Sequence, residues 1–187
     1  MTKPLWVDIE YRDEIGDWLN RHDLTGAAAE IGCAFGGYAR QVLAKWKGKK
    51  YYMVDPWTSQ PATVYRERTE GINFDQYWRD CCKLAEEDKR VVLIRKFSTD
   101  GALDVPDDSL DMVFVDGNHD YIHVLQDADA WWPKLKIGGV MGFDDYGNDT
   151  HWPNFIEVKS AVDRFCAERR LTFVVDRRPA AWVIKHA

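Results

Sequence analysis

A short apolar segment that runs into a glycine-rich turn constrains the fold of this chain more than any other feature. Residues 27–31 read Ala-Ala-Ala-Glu-Ile, and the turn GCAFGG follows at residues 32–37. Beyond the turn, Tyr38, Val42 and Trp46 recur at helical spacing on one stripe. Strand, tight turn and helix in this order open a nucleotide-type binding site, because glycine lets the backbone approach a ligand and helix N–H groups attract an anion. A purely structural strand-to-helix turn is the alternative at this point.

Strands and helices alternate along the rest of the chain. The predicted strands cover residues 27–31, 49–57, 91–98, 110–115, 137–146, 171–176 and 180–186. The predicted helices cover residues 8–22, 38–46, 74–89, 121–135 and 155–169. The alternation predicts a parallel sheet with right-handed crossovers, but the three residues RRP between the last two strands allow only an antiparallel hairpin. The predicted fold class is therefore α/β, a doubly wound, mostly parallel seven-stranded sheet with a C-terminal antiparallel hairpin.

The composition is typical of a globular domain. With 187 residues, 45% hydrophobic and 30% charged, the chain is long enough for a sizeable core, and we expect one domain over 1–187 with a helical extension at 1–26. No apolar run approaches a membrane span, and the N-terminus lacks the form of a signal peptide. The four cysteines show no metal-ligand spacing, so a reducing cytoplasm fits them best. A net charge of −6 argues against a broad nucleic-acid interface.

Polar side chains stand at the carboxyl ends of the predicted parallel strands. They are Glu30, Asp55, Ser98, Asp116 and Asp144. Ligands in such sheets bind at this edge, where the strand order reverses. The coincidence of these polar residues with the strand ends is the strongest functional signal in the sequence, and it predicts a ligand site there.

Two cofactors compete for this site. The turn departs from the dinucleotide fingerprint G-x-G-x-x-G only at Ala34, and Asp55 lies about where a ribose-binding acid is expected. An NAD(P)-dependent dehydrogenase is therefore a rival. Glu30 weighs against it, because a carboxylate before the turn would repel a pyrophosphate but suits the ammonium of a methionine moiety. The antiparallel closing hairpin also departs from the dinucleotide-binding pattern.

Over residues 27–187 these features resemble the class I S-adenosylmethionine-dependent methyltransferases, which have a Rossmann-like fold. EIGCAFGG is similar to their E-x-G-x-G-x-G turn, with Ala34 in place of the middle glycine. The resemblance implies that the turn flanks the methionine part, that Asp55 binds the ribose hydroxyls, and that Ser98 and Thr99 lie near the adenine. A turn-forming role before Pro56 is the alternative for Asp55. The cofactor-binding residues implied are Glu30, Gly32, Cys33, Ala34, Gly36, Asp55, Pro56, Trp57, Ser98, Thr99 and Asp116.

The segment at 114–146 resembles a narrower group of bacterial methyltransferases, which includes metal-dependent O-methyltransferases acting on macrolide sugars. In that group one acid after the fourth strand and two adjacent acids after the fifth bind a divalent metal, and the matching residues here are Asp116, Asp144 and Asp145. Oxygen ligands favour Mg²⁺, Mn²⁺ or Ca²⁺ over zinc, and a hard cation would relieve the repulsion among three carboxylates. Alternatively, Asp116 serves only the cofactor pocket and the other two acids cap backbone amides.

The predicted catalytic residues are His119 and Asp116. His119 resembles the general base of some of these sugar enzymes, and the ordinary pKa of a histidine suits deprotonation of a hydroxyl acidified by a metal. A histidine that only orients its loop is the alternative.

The predicted function is S-adenosylmethionine-dependent methyl transfer to a hydroxyl of a small molecule, with a divalent metal as an optional assistant. A dehydrogenase and a cofactor-binding module without turnover are the alternatives. Residues 58–73 would form a lid over the acceptor, and Trp57, Tyr65 and Trp152 would shape its pocket. Neither nucleic acid nor a membrane is expected as a partner, and the sequence is compatible with a homo-oligomer.

Overall fold

Seven strands form one mixed sheet between two layers of helices. The computed structural model describes residues 6–59, 71–147 and 157–187. The strands are β1 (Ala27–Ile31), β2 (Lys50–Val54), β3 (Val91–Ile94), β4 (Leu110–Val115), β5 (Leu135–Phe143), β6 (Phe173–Val175) and β7 (Ala181–Ile184). The helices in these residues are α1 (Ile15–Arg21), α2 (Gly37–Lys45), α3 (Phe74–Glu87), α4 (Ser98–Ala102), α5 (Tyr121–Trp131) and α6 (Val158–Arg169), with 3-10 turns at Arg12–Glu14 and Trp132–Lys134.

The strand order is β3-β2-β1-β4-β5-β7-β6. The first five strands run parallel, and β7 pairs antiparallel with both β5 and β6. This topology confirms the predicted mostly parallel sheet and its closing hairpin. The order reverses between β1 and β4, so their carboxyl ends border the crevice in which such sheets bind ligands.

The alternation of side chains along β4 explains why both faces of the sheet carry helices. The whole strand is buried. Met112 and Phe114 join the core formed with α1, α2 and α3, whereas Val113 and Val115 join the core formed with α4, α5 and α6. A strand that is apolar on both faces must be covered on both, which is typical of a central parallel strand.

Several bounds differ from the sequence prediction: the predicted strand at 91–98 ends at Ile94, the predicted helix at 121–135 ends at Trp131, and β5 covers Leu135–Phe143 where the sequence predicts 137–146. Two further differences are larger. The predicted helix at 8–22 begins only at α1, after the 3-10 turn. The predicted turn-rich link after β3 contains the short helix α4, in which Gly101 packs so closely on the sheet that an added Cβ would lie 2.6 Å from Val54 Cγ1. A helix of this length is held by packing, so it leaves little periodicity in the sequence.

The N-terminal segment, residues 6–14, is tied to distant parts of the fold. Trp18 Nε1 donates to the carbonyl of Trp6 at 3.2 Å, and the N–H of Arg177 donates to the carbonyl of Glu10 at 2.9 Å. Tyr38 Oη donates to the carbonyl of Arg12 at 3.2 Å. These contacts hold the segment against α2 and against the loop between β6 and β7.

Within the part of the chain that the structure describes, no helix combines the length and apolar character needed to cross a membrane. The cytoplasmic location stays a prediction.

Candidate active site

The glycine turn after β1 lies in close contact with the end of β4. Gly32 has a φ of +83°, and an added Cβ would lie 2.2 Å from the carbonyl oxygen of Asp116. Gly36, with a φ of +80°, is the N-cap residue of α2. Both positions need the left-handed backbone that glycine adopts without steric cost. The turn therefore brings backbone N–H groups and the β4 carboxyl end to one place.

Ala34, where the resembling family has its middle glycine, is also left-handed, with a φ of +47°. Its N–H donates to Asp55 Oδ2 at 3.0 Å, and its carbonyl accepts from Trp57 Nε1 at 2.7 Å. These two bonds hold a conformation that costs an L-residue roughly 1–2 kcal/mol. The turn is therefore fixed from the end of β2.

Asp55 ties the two loops together. Besides the bond to Ala34, its Oδ1 accepts from the N–H of Trp57 at 2.7 Å. Burial raises the pKa of Asp55, while backbone N–H groups from Trp57, Ala34 and Cys33 act in the opposite direction. The side chain thus has the turn-forming role that the sequence left as an alternative, and it also borders the cavity described next.

A cavity of about 400 Å³ opens at the carboxyl ends of β1, β2 and β4. Of the predicted cofactor-binding residues, it is lined by Gly32, Ala34, Asp55, Pro56, Ser98, Thr99 and Asp116. The other lining residues are not among the predicted cofactor-binding residues; they are Ile31, Val54, Thr58, Ile72, Phe74, Tyr77, Phe97, Gly117, Asn118, His123, Gln126 and Asp127. A cavity of this size and position matches the ligand site that the strand ends predict.

Four predicted cofactor-binding residues, Glu30, Cys33, Gly36 and Trp57, are not among these lining residues. Glu30 lies on the other face of β1, where Tyr51 Oη donates to Glu30 Oε2 at 3.0 Å and burial raises the pKa of Glu30 well above its ordinary value. Strand alternation directs this carboxylate away from the residues that line the cavity, and the expectation that it meets a ligand ammonium stays a prediction. Cys33 and Trp57 are buried, and they hydrogen-bond to backbone carbonyls.

A buried acid faces the cavity from α5. Trp131 Nε1 donates to Ser98 Oγ at 2.9 Å, and the Ser98 hydroxyl bonds to Asp127. Burial raises the pKa of Asp127 to about 7, against the opposing effects of Ser98 and His119. The signal in the sequence was helical spacing, since His123, Gln126 and Asp127 share one face of α5.

A cluster of charged residues adjoins the cavity at Asp116. His119 Nε2 lies 3.3 Å from Asp116 Oδ1, and His119 Nδ1 lies 3.5 Å from Asp145 Oδ2. Asp144 forms a salt bridge with Arg12. Burial alone would lower the pKa of His119, but Asp116 and then Asp145 raise it above its ordinary value. We call Asp116, Asp144, Asp145, His119 and Arg12 the charged cluster.

The acids of the charged cluster do not fit the predicted metal site as they are arranged. Asp144 contacts the guanidinium of Arg12, and Asp116 and Asp145 both contact the imidazole of His119. Among the described residues, no group of three or more His, Cys, Asp or Glu side chains is arranged to hold a metal ion. The prediction that Asp116, Asp144 and Asp145 bind Mg²⁺, Mn²⁺ or Ca²⁺ thus gains no support here.

Parts of the predicted lid and acceptor pocket lie outside the described residues. These are residues 60–70 of the 58–73 loop, which include Tyr65, and residues 148–156, which include Trp152. Of the expected pocket residues, Trp57 is buried against Trp78, with ring centroids 4.8 Å apart. Its position favours a structural role in the turn.

Comparisons with known proteins agree with this geometry. A family model described as a methyltransferase domain matches residues 29–146. The fold is similar to the O-methyltransferase NovP (TM-score 0.72, 17% identity, 94% of this chain and 78% of that one). It is also similar to a putative caffeoyl-CoA O-methyltransferase from Staphylococcus aureus (TM-score 0.69, 17% identity, 97% of this chain and 85% of that one). A third similar structure is the S-adenosylhomocysteine-bound methyltransferase PaMTH1 from Podospora anserina (TM-score 0.62, 14% identity, 97% of this chain and 80% of that one).

Two curated relatives are uncharacterised proteins. One is R132 of Acanthamoeba polyphaga mimivirus, 26% identical over 160 residues, or 83% of this chain. The other is y4gI of Sinorhizobium fredii, 42% identical over 78 residues, or 38% of this chain. The chain spans 65% of the length of the first and 9% of the second.

Proposed function

The chain belongs to the methyltransferase-domain family, and on that premise we propose that it transfers a methyl group from S-adenosylmethionine to a hydroxyl group of a small molecule. The observation that carries the proposal is the cavity at the reversal of strand order, bordered by the glycine turn, Asp55 and Asp116. A cavity of about 400 Å³ lies in the range of small-molecule sites.

On this proposal the cavity holds the cofactor. Asp55 would accept hydrogen bonds from the ribose hydroxyls. Both of its oxygens already accept backbone N–H groups, but each carboxylate oxygen has a second lone pair for this. Phe97 and Ile72 supply apolar walls that suit a base, and Ser98 and Asp127 supply polar atoms beside them. The bound cofactor would supply an electrophilic methyl group on its sulfonium.

The acceptor would enter from the charged cluster. His119 and Asp116 are in contact there, and Asp116 also lines the cavity, so a hydroxyl bound beside His119 would lie next to the cavity. In its neutral form, which the raised pKa of His119 shifts to higher pH, the imidazole would take the hydroxyl proton while Asp116 holds it. The rest of the catalysis is orientation for in-line displacement.

Two observations favour oxygen as the methylated atom. Two proteins of similar fold bear the name O-methyltransferase. A histidine held by a carboxylate is also the group expected for removing a hydroxyl proton. Metal assistance is not part of the proposal, because Arg12 and His119 already contact the acids that would bind the ion.

A binding experiment tests the proposal before the acceptor is known. S-adenosylhomocysteine at a hundredfold excess over its Kd should raise the free energy of unfolding by about 2.7 kcal/mol, whereas NAD should not. Stabilisation by NAD with no response to S-adenosylhomocysteine would reverse the choice in favour of the dehydrogenase. Binding without turnover on a panel of hydroxylated acceptors would instead favour a cofactor-binding module.

A further inference from the structure

Arg12 reaches the charged cluster from the N-terminal segment. Its guanidinium forms a salt bridge with Asp144 and lies over two aromatic rings, 5.5 Å from the ring centre of Tyr38 and 6.0 Å from that of Phe114. The side chain of Asp144 is only 8% exposed, and that of Arg12 is 24% exposed. The pair is therefore a buried ion pair fixed by packing, in which removal of one partner leaves the other charge uncompensated.

The charges around this pair explain what the arginine does. Asp116, Asp144 and Asp145 follow two neighbouring strands, and Asp116 and Asp145 both raise the electrostatic cost of a charged Asp144. Besides Asp144, Asp116 also stabilises the Arg12 cation, so Arg12 acts on more than one acid of the charged cluster. A cation at this place offsets the repulsion that a divalent ion would otherwise offset.

The ion pair leaves two polar atoms without a partner. Arg12 Nε and Asp144 Oδ1 are both buried, and neither has a hydrogen-bond partner among the described residues. One atom is a donor and the other an acceptor, and both belong to the same salt bridge. Both atoms are also shielded from solvent, so the salt bridge is enclosed by the groups around it. An ion could therefore reach Asp144 only by displacing the Arg12 guanidinium.

We propose that Arg12 takes the place of a divalent metal at the charged cluster, so that a guanidinium, rather than an ion, compensates the charge of Asp144. The inference concerns only what occupies the acidic site, and it does not depend on the identity of the acceptor group. It rests on the proposed function in one respect: where that function holds, the reaction of this chain is independent of divalent metal.

The test removes the arginine and asks whether a metal site appears. Mn²⁺ is titrated at pH 8 into wild type, Arg12→Met, Arg12→Lys and the double variant Arg12→Met/Asp144→Asn, with the resonance signal of free Mn²⁺ and the melting temperature as readouts. Methionine retains packing between the rings but not the charge, whereas lysine retains the charge. Arg21→Met is the control, because Arg21 forms an exposed pair with Asp8.

We expect no Mn²⁺ binding by wild type, Arg12→Lys or the control at millimolar concentrations. Arg12→Met should bind Mn²⁺ at least about tenfold more tightly and should regain thermal stability when the ion is added. The double variant should lose that binding. The proposal is overturned if wild type binds Mn²⁺ as well as Arg12→Met does, if Arg12→Met gains no affinity, or if its affinity survives Asp144→Asn.

Two measurements keep the outcome clear. If Arg12→Met does not fold, the titrations of wild type and Arg12→Lys still test the proposal. Mn²⁺ binding by either protein, with the cation in place, refutes the proposal, and a lack of Mn²⁺ binding by both supports it. S-adenosylhomocysteine binding is measured in the same samples. Failure of wild type to bind it would contradict the proposed function and would leave the Mn²⁺ result to be judged separately.

Discussion

Asp55→Ala tests the connection between the turn and the cofactor. The carboxylate accepts two backbone N–H groups, at 3.0 Å from Ala34 and 2.7 Å from Trp57. A hydrogen bond to a charged group contributes about 1.5–3 kcal/mol, but part of this is offset by the burial that raises the pKa of Asp55. We expect the free energy of unfolding to fall by about 2–4 kcal/mol. At roughly 2–4 °C per kcal/mol for a chain of this size, the melting temperature should fall by about 4–16 °C.

The same variant should lose most of its response to the cofactor product. Loss of charge-assisted bonds to the ribose should weaken binding by about 2–4 kcal/mol. At the concentration that stabilises wild type by about 2.7 kcal/mol, Asp55→Ala should gain less than about 1 kcal/mol. Asp55→Asn, which retains one acceptor oxygen, should fall between the two proteins.

Thermal denaturation with and without S-adenosylhomocysteine measures both effects of Asp55→Ala, and calorimetry measures the affinity. An unchanged melting temperature without ligand would refute the structural part of this reasoning. A full ligand-induced shift in the variant would refute the ribose role and leave Asp55 as a turn residue.

Three further predictions follow from the site. Ala34→Gly should raise the free energy of unfolding, measured by urea denaturation, by up to about 1 kcal/mol, because relief of the left-handed strain at φ +47° exceeds the entropy cost of glycine. The control Ala28→Gly, in the middle of β1, should lower it. Burial raises the pKa of Asp127 from 3.8 to about 7, so between these pH values the carboxyl is protonated in the folded protein but ionised in the unfolded chain. The free energy of unfolding therefore falls as pH rises from about 4 to 7, by at most on the order of 4 kcal/mol from this group. Asp127→Asn should therefore gain stability over wild type across that range, and a constant difference between pH 4 and 8 would contradict this. His119→Ala should reduce turnover on an acceptor panel by roughly 10²–10⁴-fold, whereas its binding of S-adenosylhomocysteine should be retained. The control His186→Ala, at an exposed histidine, should retain turnover as well.

The sheet was predictable because its signals are local. β4 is apolar on both faces, so its predicted and observed bounds coincide at Leu110–Val115. The short link between β6 and β7 permits only a hairpin, and the structure has one. Because parallel strands end at the same edge, the ligand site could be placed before any side-chain contact was known.

The parts that were not predicted depend on contacts between distant residues. The orientation of Glu30 follows from the face of β1 that it occupies, and the residue type gives no sign of this. The salt bridge of Arg12 joins residues from opposite halves of the chain, and an arginine before a helix is otherwise typical of solvated surface. The three acids suggested a metal because the sequence does not reveal which cation reaches them.

The attachment of the N-terminal segment has a consequence for the order of folding. The segment contacts Asp144 and the loop at Arg177, and the ribosome makes both long after Glu10 and Arg12. Contacts of such large sequence separation form late, because the intervening chain must first close. The N-terminal segment therefore cannot complete its contacts until the chain through Arg177 has been made.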